Sequence, residues 1–119
     1  MTRLKLLVAL AVTAAVVAVP IAQARQSATT LTAVVGPGFN ISLKKGSAKV
    51  TKLPHGTYTI KVADKSNIHN FRLKGPGVNK ATSVAAVGNK TWTVTLKAGK
   101  YTYVCDPHAT VMKGTFTVT

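Results

Sequence analysis

From residue 31 onward the chain alternates apolar with polar side chains for a few positions at a time, and each alternation ends at glycine or proline. A β-strand sends successive side chains to opposite faces, so a period of two marks a strand with one buried and one wetted side. Tyr58, Ile60 and Val62 against Thr57, Thr59 and Lys61 is the clearest instance. Trp92, Val94 and Leu96 against Thr91, Thr93 and Thr95 repeats it, and Ile41 with Leu43 and Phe116 with Val118 give shorter versions. Turn residues separate them at Gly36-Pro37-Gly38, Lys45-Gly46, Pro54-His55-Gly56, residues 64–67, Gly75-Pro76-Gly77 and Lys97-Ala98-Gly99. Residues 49–53 make a weaker strand, and residues 78–89 suit a helical turn or a strand equally. About seven strands at this spacing predict an all-β sandwich or small barrel. The chain shows no internal repeat, heptad or phosphate-cradling glycine loop.

The N-terminus reads differently. A short basic start with Arg3 and Lys5 leads into an apolar run over residues 6–19, and Ala22-Gln23-Ala24 places small residues where a signal peptidase reads. The expectation is a signal peptide over residues 1–24 and one domain over residues 25–119, which is 95 residues and room for a single core. The competing expectation is an uncleaved anchor, for which the run is short. The protein is thus expected to be exported, to a periplasm or beyond the cell, with cell-surface association a further option.

Small exported domains are commonly stapled by disulfides, yet this chain has one cysteine and cannot form one internally. A lone thiol in an oxidising compartment implies a protected role for Cys105. The net charge is +14, and without Arg3 and Lys5 the remainder keeps +12 with Asp64 and Asp106 as its acids. Such a surface draws acidic partners or anionic membranes, or simply confers solubility. Export, and the lack of aromatic residues among the basic ones, argue against nucleic acid.

Residues 101–114, Y-T-Y-V-C-D-P-H-A-T-V-M-K-G, gather the cysteine, one of three histidines and the only methionine besides Met1. Tyr101, Tyr103 and Cys105 share a strand face, Pro107 ends the strand, and the chain can curl back to bring His108 and then Met112 near the sulfur. Thiolate, imidazole and thioether suit copper, and two histidines with one cysteine and a weak axial methionine form a blue-copper site. The second imidazole has to come from elsewhere. On a strand over residues 68–73, His69 shares the apolar face of Phe71 and Leu73.

Other readings of the same residues stand beside this one. Zinc would need His55 as a fourth ligand and would leave Met112 unexplained. A Cys-His catalytic pair lacks an orienting carboxylate, and the Cys-x-x-Cys-His haem run is absent. His69 could be a satisfied core histidine and Met112 a filler of core space. His55, between Pro54 and Gly56, suits an exposed turn, while Tyr101, Tyr103 and Trp92 suit the core.

The run Y-T-I-K-V-A-D-K-S-x-I-H-N-F, followed by G-K-Y-T-Y-V-C-D-P-H-A-T-V-M-K-G-T-F-T-V, resembles the bacterial blue-copper proteins of the cupredoxin family, nearest in pattern to plastocyanins, pseudoazurins and amicyanins. The resemblance implies a Greek-key β-sandwich of seven to eight strands holding one type 1 copper. It implies His69, Cys105 and His108 as near-trigonal ligands and Met112 as the long axial one. It also implies that Asn70 ties the first histidine to the cysteine loop and that the exposed edge of His108 passes the electron. The chain departs from those relatives in three ways. Three residues separate His108 from Met112, one fewer than in plastocyanins and one more than in amicyanins. The aromatic residue that precedes the cysteine in plastocyanins is Val104, so that remote electron route is not expected. The acidic recognition patch of plant plastocyanins is replaced by positive charge.

The expected activity is single-electron carriage through Cu(II)/Cu(I) by a monomer that is not an enzyme, serving an acidic or membrane-bound redox partner. Copper sequestration or delivery is the alternative, and a β-sandwich adhesion module binding no copper is a third.

Overall fold

The computed structural model describes residue 9, residues 11–18 and residues 27–119. The predicted signal segment with cleavage after Ala24 lies for the most part outside the described residues. Residues 9 and 11–18 form no regular secondary structure, and among the described residues no helix is long and apolar enough to cross a membrane.

Among the described residues ten strands run in order: β1 (Thr29–Val35), β2 (Ile41–Lys45), β3 (Ala48–Lys49), β4 (Lys52–Leu53), β5 (Gly56–Asp64), β6 (Arg72–Gly75), β7 (Val78–Ala81), β8 (Gly88–Leu96), β9 (Gly99–Val104) and β10 (Lys113–Val118). They form two sheets, β3-β2-β1-β5-β8 and β4-β10-β9-β6-β7. β1 runs parallel to β5 and β4 parallel to β10, and the other pairs are antiparallel. The expected all-β sandwich is therefore present. Its strand number exceeds seven to eight because β3 and β4 are two-residue strands.

The alternations explain the layers. Tyr58, Ile60 and Val62 of β5 face inward with Leu31, Ala33 and Val35 of β1 and Val94 and Leu96 of β8. They meet Leu73, Tyr101, Tyr103, Phe116 and Val118 of the second sheet. Burying a side chain of the Val, Leu or Phe class stabilises the fold by about 1.5–3 kcal/mol. Two rings need space that only glycine leaves. A Cβ on Gly75 would strike the ring of Tyr101, and one on Gly114 the ring of Tyr103.

The weak segment at residues 49–53 proves to be a bend between sheets. Val50 and Leu53 are both buried, and Val50 donates its N–H to Leu43 O while Thr51 O accepts from Thr117 N, so the backbone changes sheet at residues 50–51. This closes one flank of the sandwich. On the opposite flank β7 and β8 are the edge strands, and an open groove of ~350 Å³ between them is lined by Asn79, Lys80, Thr93, Thr95 and Lys97 among others.

A candidate metal centre at one pole

Each donor is aimed by a local device. β9 turns Tyr101 and Tyr103 into the core, and Cys105 follows on the same side, buried at the strand end. Pro107 has no N–H for a ladder and its ring fixes φ, so the chain leaves the strand for a single 3-10 turn, Asp106–His108. Cys105 O accepts from His108 N at 3.1 Å, His108 O accepts from Met112 N at 2.8 Å, and Met112 O accepts from Cys105 N at 3.0 Å. These three bonds close residues 105–112 into a compact loop between β9 and β10.

His69 arrives from the loop joining β5 to β6. Asp64 Oδ1 accepts from Ser66 N at 3.1 Å and Ser66 Oγ accepts from Ile68 N at 3.3 Å, two successive side-chain turns that lead to the histidine. Gly36, at φ +71°, passes against this loop, where a Cβ would lie 2.8 Å from Ser66 Cβ. The expected strand over residues 68–73 begins only at Arg72. His69, Asn70 and Phe71 are all buried in succession, which a period of two cannot provide, so the backbone there is irregular.

The result is a triangle of donors. His69 Nδ1 lies 3.0 Å from His108 Nδ1, Cys105 Sγ lies 3.7 Å from His69 Nδ1, and Cys105 Sγ lies 3.6 Å from His108 Nδ1. A triangle with those sides has a centre about 2 Å from every corner, close to the bond length of a first-row metal to imidazole nitrogen. The two Nδ1 atoms stand 3.0 Å apart, close enough for one cation to bind both. Cys105 and His69 are buried, while His108 keeps an edge at the surface. His69 Nε2 is buried with no hydrogen-bond partner, so the polar engagement of this ring is through Nδ1, toward the sulfur.

A polar frame surrounds the triangle. Asn70 N–H donates to Cys105 Sγ at 3.5 Å. The Asn70 side chain donates to Thr82 O and Asp106 Oδ2 and accepts from Asp106 N, which ties the two loops as expected. Arg72 grips Asp106 with Nε to Oδ1 at 2.8 Å and Nη2 to Oδ2 at 2.9 Å. The guanidinium holds the Asp106 carboxyl below the usual carboxylate range, with Asn70 assisting and partial burial opposing.

Met112 is fully buried, and its backbone clasps both Cys105 and His108. His55 stands apart on the exposed turn before β5, its Nδ1 2.9 Å from Thr119 O. Three contributors escaped sequence reasoning. Phe39, 65% exposed, packs edge-to-face on both imidazoles, its centroid 5.2 Å from His69 and 4.9 Å from His108. An aromatic residue inside a glycine-proline turn was the available signal. Thr82, whose Oγ1 accepts from Phe71 N at 2.9 Å, sat in the ambiguous segment, and Asp64 looked like turn chemistry alone.

Two imidazole nitrogens and one thiol sulfur, converging at the pole of a disulfide-free sandwich, define a small metal-binding β-protein whose donors favour copper over calcium or magnesium. Residues 18–119 match the family described as copper binding proteins, plastocyanin/azurin family, and the chain belongs to that family. A reduced rusticyanin superposes at TM-score 0.57 with 28% identity, over 78% of this chain and 81% of that one. Rusticyanin from Thiobacillus ferrooxidans gives 0.56 and 28%, over 78% and 79%. A second reduced rusticyanin, solved by NMR, gives 0.53 and 26%, again over 78% and 79%. A comparison with curated protein sequences returned no match. The chain is a cupredoxin, and the donor triangle fits a single type 1 copper.

Proposed function

We propose that the protein carries single electrons, with His69, Cys105 and His108 as the three strong copper ligands and Met112 as the weak axial one. The donor triangle carries this reading, because its size and its mix of nitrogen and sulfur suit copper in both oxidation states. Bound copper supplies a one-electron couple, Cu(II) + e⁻ ⇌ Cu(I). The chain holds the donors still between the two states: strand β9 fixes the sulfur, the closed loop fixes His108, and Asn70 locks one loop to the other. With His69 and Cys105 buried, only the edge of His108 is left at the surface, which suits a carrier and not an enzyme. The half-buried edge of His108 is where electrons enter and leave. A relative solved in a reduced form supports a redox role.

The test is the visible spectrum of the copper-loaded protein. An intense thiolate-to-copper band that Cys105→Ser abolishes is expected, and a colourless protein with stoichiometric copper would refute the reading. Reversible voltammetry separates a carrier from a protein that sequesters or delivers copper, which would hold one oxidation state.

The partner we propose is an acidic or membrane-bound redox protein. Asp64 is buried and Asp106 is engaged by Arg72, so the described surface presents lysines with no unengaged aspartate or glutamate side chain among them. Electron exchange should slow as salt rises and screening shortens the reach of that charge. Rates indifferent to salt would reduce the lysines to a solubility device. The N-terminal segment supports export, and N-terminal sequencing of the protein recovered from outside the cytoplasm tests cleavage after Ala24.

A further inference from the structure

Asp64 is one of two acids in the chain, is buried, and forms no ion pair among the described residues. Burying a carboxylate without a cation is costly, so its retention calls for a compensating role. Its Oδ1 accepts from Ser66 N at 3.1 Å, and its Oδ2 lies 3.4 Å from Thr82 Oγ1. The Thr82 oxygen already accepts from Phe71 N at 2.9 Å, so its proton is free to point at the carboxylate. Thr82 O in turn accepts from Asn70 Nδ2 at 3.2 Å, and Asn70 N–H reaches Cys105 Sγ. One carboxylate thus anchors the segment before His69 through Ser66 and the segment after it through Thr82.

We propose that Asp64 is a positioning residue of the copper centre, fixing the His69 loop at both ends and holding the reduction potential down with its buried negative charge. The proposal rests on the electron-carrier reading and goes beyond it. A fixed negative charge favours the more positive oxidation state, Cu(II), over Cu(I). Because the carboxylate is buried, mobile ions screen it far less than they screen the surface lysines.

Asp64→Asn keeps the shape, and keeps an acceptor for Ser66 N, while removing the charge. Its potential should rise, with a several-fold gain in preference for Cu(I), by the same amount at low and high salt. An unchanged potential in a folded, blue Asp64→Asn protein overturns the electrostatic role. Thr82→Val provides a second arm in the metal-free protein that stands even where Asp64→Asn fails to fold. It should speed amide exchange at Phe71 and shift the NMR signals of His69 and Asn70, and Thr82→Ser should restore both. Wild-type signals in Thr82→Val overturn the positioning role. This arm uses no copper, so it separates failure of the proposal from failure of the electron-carrier reading.

Discussion

Asn70 and Asp106 hold each other from both sides: Asn70 Nδ2 donates to Asp106 Oδ2 at 2.9 Å, and Asp106 N donates to Asn70 Oδ1 at 2.7 Å. One residue follows His69 and the other follows Cys105, so the pair sets the distance between two donors that lie 36 positions apart in the chain. Asn70→Ala should weaken copper binding by roughly 10- to 100-fold, the usual range for partners that orient metal ligands. Competition titration against a chelator of known affinity measures it, and a change under twofold would show that the loops keep their spacing without the pair.

Met112→Leu removes the thioether while conserving most of the buried volume. Copper should stay bound and the potential should rise, read by voltammetry. An unchanged potential would mean that the buried sulfur serves packing alone.

Phe39 presses on both imidazoles, and aromatic pairs of this kind contribute about 0.5–1.5 kcal/mol each beyond area burial. Phe39→Leu should therefore lower copper affinity by about 5-fold or more, while Phe39→Tyr keeps it. Equal affinities for the leucine and tyrosine variants would make the ring a bystander.

Gly114 lies opposite Tyr103 in the β9–β10 ladder, under its ring. Gly114→Ala should destabilise the metal-free protein by about 1–3 kcal/mol in urea unfolding, as overpacked cores do. Thr115→Ala, on the exposed face of the same strand, should stay within about 0.5 kcal/mol of wild type.

Much of this architecture was legible where one rule governed a segment. The alternation of Tyr58, Ile60 and Val62 foretold an inward face because β5 is paired on both edges and buried on one side only. Tyr101, Tyr103 and Cys105 followed the same rule to the metal pole. It failed where tertiary demands replaced the pleat. His69, Asn70 and Phe71 are buried together because side-chain turns from Asp64 and Ser66, not a ladder, shape that loop. Residues 49–53 looked like one poor strand because their apolar residues serve two sheets in turn. Thr82 carried no local signal of its role, and the aromatic in the glycine-proline turn at Phe39 did not reveal its partners, which are remote in sequence.

The bend at residues 50–51 seals one side of the sandwich, but the far side ends in β7 and in β8, a nine-residue strand with an unpaired edge. Unguarded edges of that length invite identical molecules to zip together into fibres. Here Lys80 on β7 and Lys97 just beyond β8 line the gap, so a sister molecule arriving edge-first meets ammonium groups like its own. The same lysine excess that would draw an acidic redox protein thus works against edge-to-edge pairing of like chains.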